Sequence, residues 1–221
     1  MGTITRNAAN NFTTGGVILP AAINDTSVAS LTELENVAAG GAMNLISEQT
    51  ASASASISFT TEIDSTYPIY IFEWINLHSS NDDVFLEFNL STDGGSNYNV
   101  TKTTTVYRYY HFEDGSTSAL AYESGQDLAQ STSDQKLAQG VGNANDESTC
   151  GRLFIFNPSS TVFVKHFISV SQTNHGSNDA SYGWNVAGYG NTTSAINAVK
   201  FDLSAGTLDS GTIKLYGISG S

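Results

Sequence analysis

Apolar and polar residues alternate with a period of two over much of the chain from Ser56 onward. This period is typical of β-strands. Residues 69–77 are apolar at both phases, which predicts a central strand covered on both sides. In 84–91, Val84, Leu86, Phe88 and Leu90 face one way, with Glu87 and Asn89 opposite. The pattern predicts eight strands, at 56–60, 68–77, 84–91, 97–112, 152–157, 161–171, 196–203 and 211–218. A ninth strand is predicted near 182–189.

Turn residues separate these segments, as in Asp93-Gly94-Gly95 and in the Asn157-Pro158 turn. No helical pattern of about 10–15 residues alternates with the strands, so a parallel α/β sheet is not expected. The predicted fold is all-β: an antiparallel two-sheet β-sandwich, jelly-roll-like, with an extended N-terminal arm. The residues expected in its core are Ile69, Ile71, Phe88, Phe163, Phe167 and Phe201.

Two regions depart from the strand pattern. Residues 1–50 are interpreted as an N-terminal arm with short strands, and 51–221 as the sandwich. Within the sandwich, 116–147 is sparse in apolar residues and is interpreted as a surface excursion, with one helical turn around Gln135 to Gln139. Since the first residues of the arm are too polar to build a core of their own, we expect the arm to dock on another molecule.

Composition narrows the choice of partners. Charged residues make up only 13% of the chain, and 21 acidic against 8 basic side chains give a net charge of −13. Binding of nucleic acid or an anionic membrane requires clustered Lys and Arg, and the eight cations form no run. We therefore expect neither nucleic acid nor membrane as a partner. Cys150 is the only cysteine, which excludes an intrachain disulfide and a cysteine metal pair.

The sequence contains no phosphate-binding, zinc-protease or serine-hydrolase motif. Glu73 lies on an apolar strand and is the one carboxylate considered as a catalytic acid, but a paired structural role is the preferred interpretation. Loops 79–83 and 143–147 are rich in oxygen ligands without the spacing of a calcium loop. We expect no catalytic residues, no cofactor and no bound metal.

Five aromatic residues are candidates for a functional surface: Tyr107, Tyr109, Tyr110, Trp184 and Tyr189. They are interpreted either as a subunit interface or as a face that stacks on glycan. Interfaces are enriched in aromatic residues and depleted in charge, so the low charge of the chain favours the interface.

Several segments resemble small structural proteins from the particles of marine tailed bacteriophages. The resemblance is carried by FIFNPSSTVFVKHF at 154–167, by GTIKLYGI at 211–218, by the opening MGTITRNAANNFTTGGVI and by DGGSNYNVTKTTT. It implies a jelly-roll-like fold, no catalysis and assembly in many copies. Such surface proteins commonly form trimers, so the implied partners are further copies of the chain and other virion proteins such as the major capsid protein.

The expected function is therefore that of a non-enzymatic structural protein on the exterior surface of the virion, as a capsid decoration protein. The alternative is a tail-fibre or receptor-binding module that recognises host cell-surface glycan. A third hypothesis is a polysaccharide-cleaving enzyme that uses Glu73 and a histidine as acid and base.

Overall fold

A computed structural model describes residues 43–219. They form twelve β-strands and one 3-10 turn at Gly176–Asn178. The strands are β1 Met43–Thr50, β2 Ser56–Phe59, β3 Ile69–Ser79, β4 Val84–Ser91, β5 Lys102–Phe112, β6 Ser118–Tyr122, β7 Gln135–Val141, β8 Thr149–Phe156, β9 Lys165–His175, β10 Ala180–Gly190, β11 Ala198–Leu203 and β12 Leu208–Ile218. In this part of the chain no helix is long and apolar enough to cross a membrane.

The strands form two sheets. The larger has eight strands in the order β1-β12-β3-β8-β9-β10-β5-β6, and the smaller has four in the order β2-β11-β4-β7. Every pairing between named strands is antiparallel. The two sheets pack face to face, which confirms the prediction of an antiparallel two-sheet β-sandwich.

The core lies between the sheets because successive side chains of a strand point to opposite faces. At its centre, Phe201 of the small sheet contacts three aromatic rings at centroid distances of 5.3–6.4 Å: Phe59, Phe72 and Trp74. A second contact joins the sheets where Phe88 meets Phe167 edge to face, with centroids 5.1 Å apart. These aromatic contacts fix which face of each sheet is turned inward and leave the other faces available.

Most predicted strands are present, and 84–91 agrees with β4 at both ends. Of the predicted core residues, Ile71, Phe88, Phe167 and Phe201 are buried and Ile69 is half-buried. Phe163 was assigned to the core wrongly, because it is 68% exposed. The reason is that β9 begins at Lys165, so Phe163 belongs to the preceding loop and not to the alternating strand.

The prediction for 116–147 also needs correction. This segment contains β6 and β7, and β7 is an edge strand of the small sheet. Leu137, Ala138 and Val141 are fully buried there. The expected helical turn at Gln135 to Gln139 is therefore wrong, and the interpretation as a surface excursion holds only for the loop residues outside β6 and β7.

The N-terminal boundary shifts as well. Residues 43–50 were assigned to the arm, yet they form β1, which pairs along its length with β12 at the edge of the large sheet. The sandwich therefore begins earlier than the predicted residue 51. The rest of the predicted arm, residues 1–42, lies outside the described residues, as does its predicted docking.

Candidate functional site

The outer face of the eight-stranded sheet, here called the outer face, is unusually apolar. Outward positions alternate with buried ones along its strands, as in β9, where every second residue is exposed. The large hydrophobic side chains exposed on it are Met43, Leu45, Ile75, Tyr107, Tyr109, Leu120, Tyr122, Ile168 and Val170. Among the described residues, only Val162 and Phe163, in the loop before β9, are large exposed hydrophobics elsewhere.

One row of side chains crosses the outer face from edge to edge. Strand register places these residues opposite one another in the order Glu48, Lys214, Glu73, Arg152, Val170, Asn185, Tyr107 and Tyr122. The first four alternate in charge and the last four carry none. The outer face therefore has a charged half on β1, β12, β3 and β8 and an uncharged half on β9, β10, β5 and β6.

The charges of this row are paired among themselves. Lys214 Nζ lies 3.2 Å from Glu48 Oε2, and Arg152 Nη2 lies 2.7 Å from Glu73 Oε1. Arg152 Nε also donates to the same Glu73 oxygen at 2.8 Å. The neighbouring Glu48 carboxylate, as hydrogen-bond acceptor and as opposite charge, raises the pKa of Lys214. Glu73, the candidate acid, is thus held by a guanidinium in the paired structural arrangement.

The uncharged half combines aromatic and aliphatic side chains with neutral polar ones such as Asn185 and Gln172. Tyr107 and Tyr122 meet edge to face across β5 and β6, with centroids 5.4 Å apart. Leu120, on the edge strand β6, is 72% exposed. Next to them the ring of Tyr109 lies across Gly183, and a Cβ at that position would overlap with the ring. Gly183 therefore lets a tyrosine ring lie flat against the backbone of β10.

A shallow cleft of about 440 Å³ opens between the two halves of the outer face. Its walls include Glu73 and Arg152 on one side and Tyr109 on the other, with Val170 and Gln172 between them. The cleft combines an aromatic ring, an apolar floor and planar hydrogen-bonding groups. Its volume falls within the range of about 300–1,000 Å³ for small-molecule sites, which are lined mainly by apolar and aromatic side chains with a few polar groups.

The five aromatic residues predicted to share one surface are divided between two faces. Tyr107 and Tyr109 are exposed on the outer face, and Tyr189 lies there half-buried, with its ring 6.3 Å from that of His166. Tyr110 and Trp184 point to the inner side of the sheet, so their assignment to the predicted face is wrong. The physical reason is the alternation itself, which sends the adjacent Tyr109 and Tyr110 in opposite directions.

The two misassigned residues pack inside the sandwich. Trp184 is buried, contacts Phe85 of the small sheet and donates from Nε1 to the Lys136 carbonyl at 3.3 Å. Tyr110 stacks on Tyr182 at a centroid distance of 5.0 Å, and the Arg108 guanidinium lies over both rings. These contacts stabilise the end of the sandwich near β6 and β7.

Sequence reasoning missed a cluster of three carboxylates on the outer side of the small sheet. Carboxylate oxygens of Glu87, Asp134 and Asp202 lie within 4.8 Å of one another. Lys200 Nζ lies 2.6 Å from Asp202 and 3.5 Å from Asp134. Burial, reinforced by the charges of Asp202 and Asp134, raises the pKa of Glu87 to about 7. The three acidic residues come from separate segments, so no local sequence motif predicts that they lie together.

Glu87 should make the stability of the protein depend on pH. Its pKa is about 7 in the folded chain against an ordinary 4.5, so the unfolded chain releases the proton first. The stabilisation by the bound proton is therefore complete below pH 4.5 and is lost as pH rises through 7. Glu87→Gln keeps the neutral form, and we expect it to gain about 1–2 kcal/mol relative to the parent protein between pH 5 and pH 8, allowing for solvent screening.

Urea denaturation of both proteins at a series of pH values measures this difference. Glu113→Gln removes one negative charge at an exposed position and serves as the control for net charge. A difference between Glu87→Gln and the parent protein that stays constant from pH 5 to pH 8 would show that Glu87 does not hold the proton.

Comparison of the chain with known proteins gives no match to a family model, to a curated protein or to a solved structure.

Proposed function

We propose that this protein is a non-enzymatic structural protein on the exterior of a virus particle, where it acts as a capsid decoration protein present in many copies. The observation that carries the proposal is the outer face of the eight-stranded sheet. Nine large hydrophobic side chains are exposed on it, and the four charges of the row that crosses it form two internal pairs.

A surface of this kind favours assembly. Soluble monomers rarely expose contiguous apolar patches larger than a few hundred Å² without a functional reason. The centres of protein interfaces are rich in Tyr and poor in charge. The uncharged half, with Tyr107, Tyr109 and Tyr122 beside Leu120 and Val170, has this composition. Contact with other proteins is therefore the role that best accounts for the side chains on the outer face.

The assignment to a virion rests on the resemblance described above. The segments at 154–167 and 211–218 that resemble phage structural proteins include the end of β8, the start of β9 and most of β12. These three strands all belong to the sheet that carries the outer face. The resemblance thus supports placing the protein at the virion surface, with other copies and the major capsid protein as partners.

A second candidate function is favoured by the cleft on the outer face. The flat ring of Tyr109 offers a stacking surface, and Arg152, Glu73 and Gln172 offer hydrogen bonds to hydroxyl groups. This chemistry suits a host cell-surface glycan, as expected for a tail-fibre or receptor-binding module. A glycan array tests this candidate, with Tyr109→Ala as the variant that should lose binding.

The position of the protein in intact particles tests the main proposal. Immunogold labelling or a density map of the particle should place the protein on the outer surface of the head. Labelling confined to the tail, together with glycan binding, would favour the second candidate. Absence of the protein from purified particles would contradict both.

A further inference from the structure

We propose that a second copy of this chain covers the outer face of the eight-stranded sheet, with the contact centred on the uncharged half formed by β9, β10, β5 and β6. The inference deepens the proposed function and uses the same face, but it is a statement about the protein in solution and does not require the particle.

Charge is the first argument for a copy of the same chain as the occupant. Each chain carries a net charge of −13, so two copies repel unless the contact avoids unpaired carboxylates. On the outer face Glu48 and Glu73 are both paired with cations at 3.2 Å or less. The row across the uncharged half carries no formal charge. Two copies can meet there without placing like charges opposite each other.

The outer side of the small sheet provides the contrast. Three carboxylates, Glu87, Asp134 and Asp202, gather there around Lys200. Bringing two copies together through that side would place acidic groups against acidic groups. The distribution of charge therefore selects the outer face of the large sheet for contact between copies.

Area is the second argument. Eight strands about 4.8 Å apart, each about 30 Å long, present a face of about 1,000 Å². A stable interface buries about 800 Å² on each partner. The uncharged half supplies about half of this area, so a stable contact centred on it also covers part of the charged half, where the row of charges is paired within the chain.

Chemistry at the centre of the contact is the third argument. A symmetric contact requires a surface that complements itself. Tyr107 and Tyr109 combine apolar rings with hydroxyl groups that both donate and accept hydrogen bonds, so each can meet another copy of itself. The Tyr122 hydroxyl already donates to Asp127 Oδ2 at 2.5 Å, so this residue contributes its ring. Val170 and Ile168 supply further exposed apolar surface on β9.

Substitution of Val170 tests the inference in the full-length protein. Light scattering at micromolar concentration should give the parent protein a mass near twice the chain mass of 23.4 kDa, because a self-complementary contact joins two copies. Arg152, the cross-strand neighbour of Val170, is already paired with Glu73, so Val170→Glu adds a net negative charge to the contact surface of each copy and should weaken association at least about 100-fold, giving a monomer. Val170 is 41% exposed, so the glutamate can point to solvent in a folded monomer.

The chain offers a matched control in Val162, which is 69% exposed in the loop before β9 and outside the outer face. Val162→Glu should leave the mass of the assembly unchanged. Circular dichroism checks that each variant is folded. If Val170→Glu does not fold, Leu120→Glu on the exposed edge strand β6 repeats the test at a second position of the same half.

The outcomes separate this inference from the proposed function. A monomeric parent protein would overturn the inference, whatever else covers the outer face. The inference would also be overturned if the variants at Val170 and Leu120 stay assembled, or if the Val162 variant dissociates. If the protein is monomeric in solution and immunogold labelling still finds it on the particle surface, only the proposed contact between copies is contradicted. If the copies assemble through the outer face but the protein is absent from particles, only the proposed virion role is contradicted.

Discussion

Replacing Phe167 by alanine should lower the free energy of unfolding by about 3–5 kcal/mol. Phe167 is 1% exposed, and its ring meets Phe88 of the opposite sheet edge to face. Removing it leaves a cavity between two sheets that are held in place by many other contacts and cannot close over it. Urea or guanidinium denaturation at fixed protein concentration measures the loss.

Phe163→Ala is the matched control, four positions earlier in the same stretch of sequence. Phe163 is 68% exposed, and its backbone N–H donates to Ser160 Oγ at 3.1 Å, a bond that alanine retains. Its replacement should cost less than about 1 kcal/mol, as expected of surface changes. Equal losses for the two variants would contradict the start of β9 at Lys165.

The second large effect is expected from Gly211→Ala, which should destabilise the protein by about 2–4 kcal/mol. Gly211 has a φ of +100°, at an irregularity in the pairing of β12 with β3. An added Cβ would lie 2.7 Å from the Asn76 carbonyl carbon and 2.8 Å from Leu77 Cα. Both are backbone atoms, so the clash is relieved only by moving a central strand.

Gly115→Ala separates the two causes of this effect. Gly115 also has a positive φ, +73°, but no heavy atom lies within 4 Å of where its Cβ would be. Only the backbone preference is lost there, and the expected cost is about 1 kcal/mol. Thermal unfolding followed by circular dichroism compares the two variants. A loss at Gly211 no larger than at Gly115 would show that β3 adapts to the added methyl group.

Strands whose burial can be read from local alternation were predicted well. In β4, apolar side chains at Val84, Leu86, Phe88 and Leu90 alternate with Phe85, Glu87 and Asn89, and both ends agree with the prediction. The strand β7 was missed because its sequence, QKLAQGV, lacks β-branched and aromatic residues at regular spacing. Its Gln135 is buried because Thr104 donates to the side-chain oxygen and the Gln126 carbonyl accepts from its amide. Which residues serve as these hydrogen-bond partners can be identified only from the folded structure.

The candidate surface was half predicted. Tyr107 and Tyr109 are where the sequence suggested, whereas Tyr110 and Trp184 are buried or half-buried on the inner side. Strict use of the period of two would have separated Tyr109 from Tyr110 and Trp184 from Tyr189, since residues an odd number apart on a strand lie on opposite faces. The signal was present in the sequence.

No such signal exists for the charged row. Glu48, Lys214, Glu73 and Arg152 lie on four strands that are distant in sequence, and only the register of three pairings makes them neighbours. The same holds for Glu87, Asp134 and Asp202. Their proximity depends on how the sheets are ordered, and the alternation within a single strand carries no information about that order.

The order of the large sheet also determines when it can form. The strand β12, at residues 208–218, lies between β1 and β3 and pairs with both. During synthesis β1 and β3 leave the ribosome long before β12. Until β12 follows, the edges of β1 and β3 that will pair with it are unpaired. Such edges are templates for wrong pairing, and contacts so distant in sequence form slowly. We expect the emergence of residues 208–218 from the ribosome to be the step that commits the chain to its native sheet.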